Sequence, residues 1–144
     1  MSAASAADAI YEGLNPAQRR AVEYGIGAEN GIASPLLIAA GAGTGKTKTL
    51  AHRVARLILG GVDPRRLLLL TFTRRAAREM TRRAQHILAA SRGGATIAAE
   101  AELLPWSGTF HSIGNRLLRQ YAASLALNPA FTVLDRTDRT CPLR

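Results

Sequence analysis

Residues 40–47, AGAGTGKT, combine glycine, lysine and threonine at a spacing that could bind phosphate. The glycines allow backbone N–H groups to turn toward an anion, because glycine has no Cβ and adopts positive φ freely. The lysine could reach the β- and γ-phosphates, and the following threonine hydroxyl could bind Mg²⁺. The segment predicts a site for a nucleoside triphosphate with Mg²⁺. Its residues are Ala40, Gly41, Ala42, Gly43, Thr44, Gly45, Lys46 and Thr47.

The segment departs from the usual phosphate-binding pattern at its first position, where Ala40 replaces glycine. Lys46 and Lys48 are the only lysines in a chain that has 17 arginines, so lysine is used at this loop and nowhere else. One alternative is a glycine-rich turn that binds no ligand. Another is the phosphate loop of an unrelated kinase or GTPase, although no guanine-reading motif accompanies it.

A second candidate site follows the apolar run LLLLTF at residues 67–72. Arg74 and Arg75 open the next predicted helix, where the helix dipole disfavours cations unless an anion lies beside them. Phe72 could stack on a nucleobase, and the neighbouring Thr73 supplies a hydroxyl. These residues predict contacts to a nucleic acid.

Further polar side chains extend the second site. Arg78 and Arg82 continue the face that Arg74 begins, and a third strand-to-helix junction supplies Thr109 and His111. Two polar junctions on one edge of a parallel sheet could follow a single-stranded backbone. The alternatives are structural: an aromatic side chain in the core, arginines on a solvated helix face, and a histidine that caps a helix.

The elements that position these residues alternate between strand and helix. Apolar runs at residues 34–41 and 67–72 predict strands buried on both faces, and residues 106–110 predict a third strand. Helices are predicted at residues 14–25, 47–60, 74–90 and 112–123. The side chains predicted to face the core from the second helix are Leu50, Val54, Leu57 and Ile58. The alternation predicts an α/β fold with a parallel sheet, whose ligands collect at the carboxyl ends of the strands.

Composition indicates one folded domain with a basic surface. The 144 residues are 47% apolar and 20% charged, which argues against a disordered chain. No apolar run approaches the roughly 18 residues of a membrane span, so we expect no membrane partner and a cytoplasmic location. The single cysteine, Cys141, excludes a disulfide framework. A net charge of +9 indicates a polyanionic partner, the alternative being a solvated basic surface.

Taken in order, five segments of the chain resemble the UvrD/Rep-like DNA helicases of superfamily one. They are LNPAQRRAV, LLIAAGAGTGKTKTL, LLLLTFTRRAAREM, GTFHSIGNRLLRQYA and FTVLD. The family's loop also begins with alanine, which accounts for Ala40. The resemblance implies a partial RecA-like P-loop NTPase domain at residues 13–119, after a flexible N-terminus at residues 1–12. Residues 120–144 would begin an inserted helical subdomain.

The resemblance also implies a role for individual residues. Gln18 would read the adenine edge, which favours ATP, and Lys48 stands where relatives usually carry an arginine near the adenine. Arg74 and Arg75 replace the family's more usual asparagine and lysine. The residues expected to contact single-stranded DNA or DNA junctions are Phe72, Thr73, Arg74, Arg75, Thr109 and His111.

The intact protein is expected to be an ATP-dependent DNA helicase or translocase with ATP and Mg²⁺ as cofactors. The family also needs an Asp-Glu pair after an apolar strand and a second RecA-like domain, and neither is present in this sequence. FTVLD ends in Asp135, which we interpret as a turn or N-cap residue because Arg136 follows it. This chain alone is therefore expected to be inactive as an enzyme. The alternative is a non-catalytic remnant that binds ATP and nucleic acid.

Overall fold

The computed structural model describes residues 10–27, 33–91 and 104–133. In these ranges the chain forms four α-helices and two β-strands. They are α1 (Pro16–Glu23), α2 (Lys46–Leu59), β1 (Leu69–Thr71), α3 (Arg74–Ser91), β2 (Ser107–Thr109) and α4 (Phe110–Gln120). The alternation of helices with parallel strands confirms the predicted α/β class. The RecA-like arrangement stays a prediction.

The two strands pair in parallel, as the sequence predicts. Leu69 lies opposite Ser107, and Thr71 lies opposite Thr109. Because α3 follows β1 directly and packs against both strands, it covers one face of the sheet. The parallel register brings the carboxyl ends of β1 and β2 to the same edge.

The hydrophobic core lies between α2 and α3. Both helices repeat apolar residues at helical spacing, and alanines on each of them are fully buried, which lets the helices approach closely. The members of this core are Ala51, Val54, Ala55, Ile58, Met80, Ala84, Ile87, Leu88 and Leu104. This core fixes the two helix N-termini, at Lys46 and Arg74, that carry the candidate sites.

The predicted strand at residues 34–41 is wrong for the structure described here. The segment forms no regular element, and the Leu37 side chain is 90% exposed although burial on both faces was predicted. A strand in a parallel sheet requires a hydrogen-bonded neighbour. Among the described residues β1 pairs only with β2, so the segment has no strand beside it.

The strand predicted at residues 67–72 is shorter than expected. It is reduced to Leu69–Thr71, and Leu68 and Phe72 at its ends are exposed. A two-stranded sheet covered by α3 does not bury both faces of an apolar run. Leu50, predicted to face the core, is likewise 38% exposed, whereas Val54 and Ile58 are buried as predicted.

The chain divides into two compact units, residues 1–109 and residues 110–144. The predicted start of a helical subdomain at residue 120 stays a prediction. Asp135, Cys141 and most of the predicted flexible N-terminus lie outside the described residues. None of the helices in the described ranges combines the length and apolar character needed to cross a membrane.

Candidate nucleotide and nucleic-acid sites

The glycine-rich loop, residues 40–47, leads directly into the N-terminus of α2. Gly43 and Gly45 have φ of +75° and +88°, which residues with a Cβ rarely adopt. A Cβ on Gly45 would also lie 2.8 Å from Nε2 of Gln18. Gly45 is the N-cap residue, and it offers no side chain to the first N–H groups of the helix. These N–H groups and the helix dipole make the loop suited to an anion.

Two side chains brace the loop from within. The Lys46 ammonium donates to the carbonyl oxygens of Ala40 and Gly41 at 2.6 and 2.5 Å. The Thr44 hydroxyl donates to the same Gly41 oxygen at 2.7 Å. Thr47 lies in the first turn of α2 with an exposed side chain. The structure therefore brings the predicted phosphate ligands together at one helix end.

A cavity of about 180 Å³ lies beside the loop, between it, α1 and residues 38–40. Apolar side chains of α1 and of the segment before the loop form much of its wall. The lining residues are Asn15, Ala17, Gln18, Ala21, Ile38, Ala39, Ala40, Thr44, Lys46 and Thr49. An apolar cavity beside a helix end suited to anions has the chemical character of a site for a nucleotide base.

Gln18 connects α1 to the loop. Its Oε1 accepts a hydrogen bond from the Asn15 N–H, and Oδ1 of Asn15 accepts one from the Gln18 N–H, both at 2.9 Å. This reciprocal pair is a capping box that begins α1. Nε2 of Gln18 donates to the Thr44 carbonyl at 3.1 Å. The amide predicted to read adenine thus lies in the cavity wall, with both its ends bonded to the protein.

Basic side chains of α2 donate hydrogen bonds to the segment at residues 10–24. These contacts were not predicted from the sequence. The Lys48 ammonium donates to the Gly13 carbonyl at 2.7 Å. Nη1 of Arg53 donates to the carbonyls of Ala21, Val22 and Tyr24 at 2.9, 3.2 and 2.8 Å. The signal was present in the sequence as basic residues at positions 48, 52, 53 and 56, which share one side of a helix.

His52 and Arg56 complete this set of contacts. Nδ1 of His52 donates to the Ile10 carbonyl at 2.5 Å, and Nε of Arg56 donates to the Tyr11 hydroxyl at 3.1 Å. Burial lowers the pKa of His52, and Lys48 lowers it further by charge repulsion. Burial also raises the pKa of Tyr11. His52 and Tyr11 are therefore neutral at pH 7.

Hydroxyl groups organise the junction between β1 and α3. Oγ1 of Thr73 accepts from the Ala76 N–H at 3.1 Å, as an N-cap residue does. The buried Thr71 hydroxyl lies 3.0 Å from the Thr73 carbonyl. Where α3 packs against the sheet, the hydroxyls of Thr81 and Ser107 lie 3.0 Å apart and join α3 to β2. Thr73 therefore positions the helix start that presents Arg74.

Exposed aromatic and basic side chains lie at the junction between β1 and α3 and along α3. The Phe72 side chain is 91% exposed, so its alternative assignment to the core is wrong. In the part of the chain that the structure describes, Glu79 pairs with Arg83 at 3.1 Å, and no ion pair involves the other arginines of α3, which are Arg74, Arg75, Arg78 and Arg82. An open groove of about 360 Å³ is lined by Arg75, Arg78, Glu79 and Arg82.

Thr109 and His111 belong to different units. Thr109 ends β2 and lies opposite Thr71 in the first unit, next to the junction that carries Phe72. His111 lies in α4 of the second unit, where its side chain is exposed. It is inside the helix, since α4 begins at Phe110, so the alternative of a capping role is wrong. No cluster of His, Cys, Asp or Glu among the described residues could hold a metal ion.

Comparison with known families agrees with this arrangement. The family model of the UvrD/REP helicase N-terminal domain matches residues 14–143 of the 144. The match includes α1, the glycine-rich loop, both strands and α4. The chain belongs to this family. The resemblance inferred from the five sequence segments is thereby confirmed.

Individual relatives of this UvrD/REP family member point the same way. The chain is 38% identical over 133 residues to the ATP-dependent DNA helicase PcrA of Staphylococcus epidermidis strain ATCC 35984. It has the same identity over the same length to the PcrA of Staphylococcus aureus strain Mu50. Each alignment covers 92% of this chain, and the chain spans 16% of the length of these relatives.

Proposed function

We propose that the chain is the ATP- and DNA-binding N-terminal part of an ATP-dependent DNA helicase or translocase. One observation carries the proposal: the glycine-rich loop leads into the N-terminus of α2, which no side chain caps, beside a cavity that Gln18 lines. Family membership and the PcrA relatives support it. The loop would act as a P-loop, or Walker A motif, of a RecA-like domain.

The nucleotide would be held by three parts of the first unit. Backbone N–H groups of the loop and of the α2 N-terminus would donate to the phosphates, as would Lys46 in exchange for its bonds to Ala40 and Gly41. Gln18 would turn its amide from Thr44 and Asn15 toward the adenine. Mg²⁺, bound together with ATP, would be held by the Thr47 hydroxyl and would neutralise phosphate charge.

Single-stranded DNA would bind where β1 meets α3. Phe72 would stack on a base, and Arg74 and Arg75 would contact phosphates because their positive charge lies at a helix N-terminus without acidic residues. Thr109 at the end of the neighbouring strand would add a hydroxyl to the same edge. His111, in the second unit, is proposed as a further DNA contact.

The second candidate is a module that binds ATP and DNA without catalysis. The sequence favours it for this chain alone, because no Asp-Glu pair supplies a water-activating carboxylate. We therefore expect binding without hydrolysis. A steady-state phosphate-release assay with single-stranded DNA checks this expectation. Turnover above about one per second would contradict it.

Replacement of Lys46 tests the nucleotide site most directly. The Lys46→Ala variant is expected to bind a fluorescent ATP analogue with Mg²⁺ about 10- to 100-fold more weakly, because charge-assisted hydrogen bonds to the phosphates are lost. The Arg66→Ala variant removes an exposed charge from the turn at Pro64–Arg66 and is the control. Equal affinities for wild type and Lys46→Ala would exclude Lys46 from the site.

A further inference from the structure

Helix α1 depends on contacts from outside itself. It has eight residues, and isolated helices shorter than about 12 residues are marginal in water. Gln18 in its first turn and Ala21 in its second form part of the cavity wall. The shape of the cavity therefore depends on the contacts that hold α1 in place.

Arg53 of α2 supplies those contacts at the C-terminus of α1. The last carbonyls of a helix have no partner within it, and one nitrogen of Arg53 donates to those of Ala21 and Val22 and to that of Tyr24 beyond. A positive charge is also favoured at this end by the helix dipole. Burial of the Arg53 guanidinium removes part of its hydration and so lowers its pKa.

Arg53 also connects the α1 wall of the cavity to the helix that begins at the glycine-rich loop. It belongs to the helix that starts at Lys46, so the loop and the C-terminus of α1 are attached to the same rigid element. Its hydrogen bonds go to α1 and its C-cap residue, and none goes to residues 40–47. Arg53 is therefore placed to affect the cavity separately from the loop.

We propose that Arg53 is a positioning residue that holds the Gln18 wall of the cavity in register with the loop and so sets the preference for adenine. The inference rests on the proposed binding of ATP. The loop and Lys46 would set the affinity for the phosphate chain. Selectivity for the base depends on α1, and hence on Arg53.

The test compares ATP, GTP and inorganic tripolyphosphate as competitors of a fluorescent ATP analogue on the full chain. Wild type is expected to prefer ATP over GTP. Arg53→Ala is expected to reduce that preference about tenfold, because the C-terminus of α1 loses the three hydrogen bonds that hold it. Tripolyphosphate carries no base, so its affinity is expected to be the same in both proteins. Arg53→Lys keeps a charged donor and is expected to recover part of the preference.

Arg65→Ala is the matched control, because it removes an exposed arginine that follows α2. Thermal unfolding shows whether each variant is folded, and Arg53→Lys keeps the test decisive if Arg53→Ala is not. An unchanged ATP preference, or an equal loss of ATP and tripolyphosphate affinity, would overturn the role of Arg53. If wild type does not bind ATP, the proposed function is overturned instead. If wild type binds ATP and GTP equally well, the site does not recognise adenine and the role of Arg53 is overturned with it.

Discussion

Helices α2 and α3 pack together in the core, yet their basic side chains meet different partners. On α2, Lys48 and Arg53 donate to backbone carbonyls of the N-terminal segment. On α3, Arg74, Arg75 and Arg78 are exposed and form no ion pair within the described residues. The first set satisfies carbonyls that water would otherwise solvate, and the second set remains available to an external anion.

The difference shows that net charge alone does not locate a nucleic-acid surface. A guanidinium that donates to backbone carbonyls already has its partners, and moving it to DNA would give up those hydrogen bonds. An exposed arginine releases counterions when it meets a phosphate, which gives binding its salt dependence. We therefore expect the DNA affinity to depend on α3 and the nucleotide cavity to depend on α2.

The largest expected effect is the loss of the exposed pair at the start of α3. Replacing Arg74 and Arg75 together with alanine should reduce the slope of log affinity against log salt by about 1.4, at about 0.7 per phosphate contact on a single strand. This change corresponds to roughly 25-fold weaker binding at 0.1 M salt. Fluorescence anisotropy with a labelled oligonucleotide at several salt concentrations measures it.

The chain offers a matched control for this prediction. Arg65 and Arg66 form another adjacent, exposed pair, in the turn that precedes β1. Their double replacement changes the net charge equally and is expected to alter the slope much less. Equal slopes for the two double variants would mean that overall charge, and not the start of α3, attracts the DNA.

Phe72 provides the next effect in size. The Phe72→Ala variant should weaken single-stranded DNA binding by about 1 kcal/mol, or roughly fivefold, with an unchanged salt slope, because stacking releases no counterions. Leu68→Ala removes another exposed apolar side chain from the same run and is the control. The stacking role is excluded if Phe72→Ala binds as wild type does, or if its slope falls as in the arginine variants.

The smallest expected effect concerns His52 and the attachment of residues 10–24 to α2. Burial holds the pKa of His52 below its usual value near 6.5, so the unfolded chain takes up this proton first. Stability from the neutral His52 is present above pH 6.5 and is lost as the pH falls toward the lowered pKa. The midpoint of urea unfolding, measured between pH 7.5 and 5, should fall less in His52→Gln than in wild type.

His86, an exposed histidine of α3, allows a matched His86→Gln control for the loss of a histidine. A wild-type pH dependence that His52→Gln leaves unchanged would mean that other groups cause the acid sensitivity. The repulsion exerted on His52 by Lys48 and Arg83 gives a further check. Removing Lys48 should raise the pKa of His52 and so reduce the loss of stability in acid.

Local features were predictable from the sequence because their causes are local. Asn15 and Pro16 begin α1 within the helix predicted at residues 14–25, since an N-cap side chain and a fixed φ act within one turn. Gly43 and Gly45 lead into α2 because positive φ suits glycine. The strands β1 and β2 lie within the predicted segments, although both are shorter than predicted. The order of five motifs was sufficient to identify the family.

The partners of side chains could not be predicted in this way. The segment at residues 34–41 has an apolar pattern, but a strand forms only where a neighbouring strand supplies hydrogen bonds. Arg53 looks like any surface arginine of an amphipathic helix, and only the packing of α1 on α2 brings it to the carbonyls of Ala21 and Val22.

The sequence by itself determined where α2 and α3 begin to within one residue, which loop could bind phosphate, and which family the chain belongs to. These properties depend on residue type and on spacing within a few positions. The tertiary structure decided which arginines face outward and which groups Gln18 bonds. Such pairings join residues far apart in the chain, such as Gln18 with Thr44. They depend on how helices pack, which no short stretch of sequence specifies.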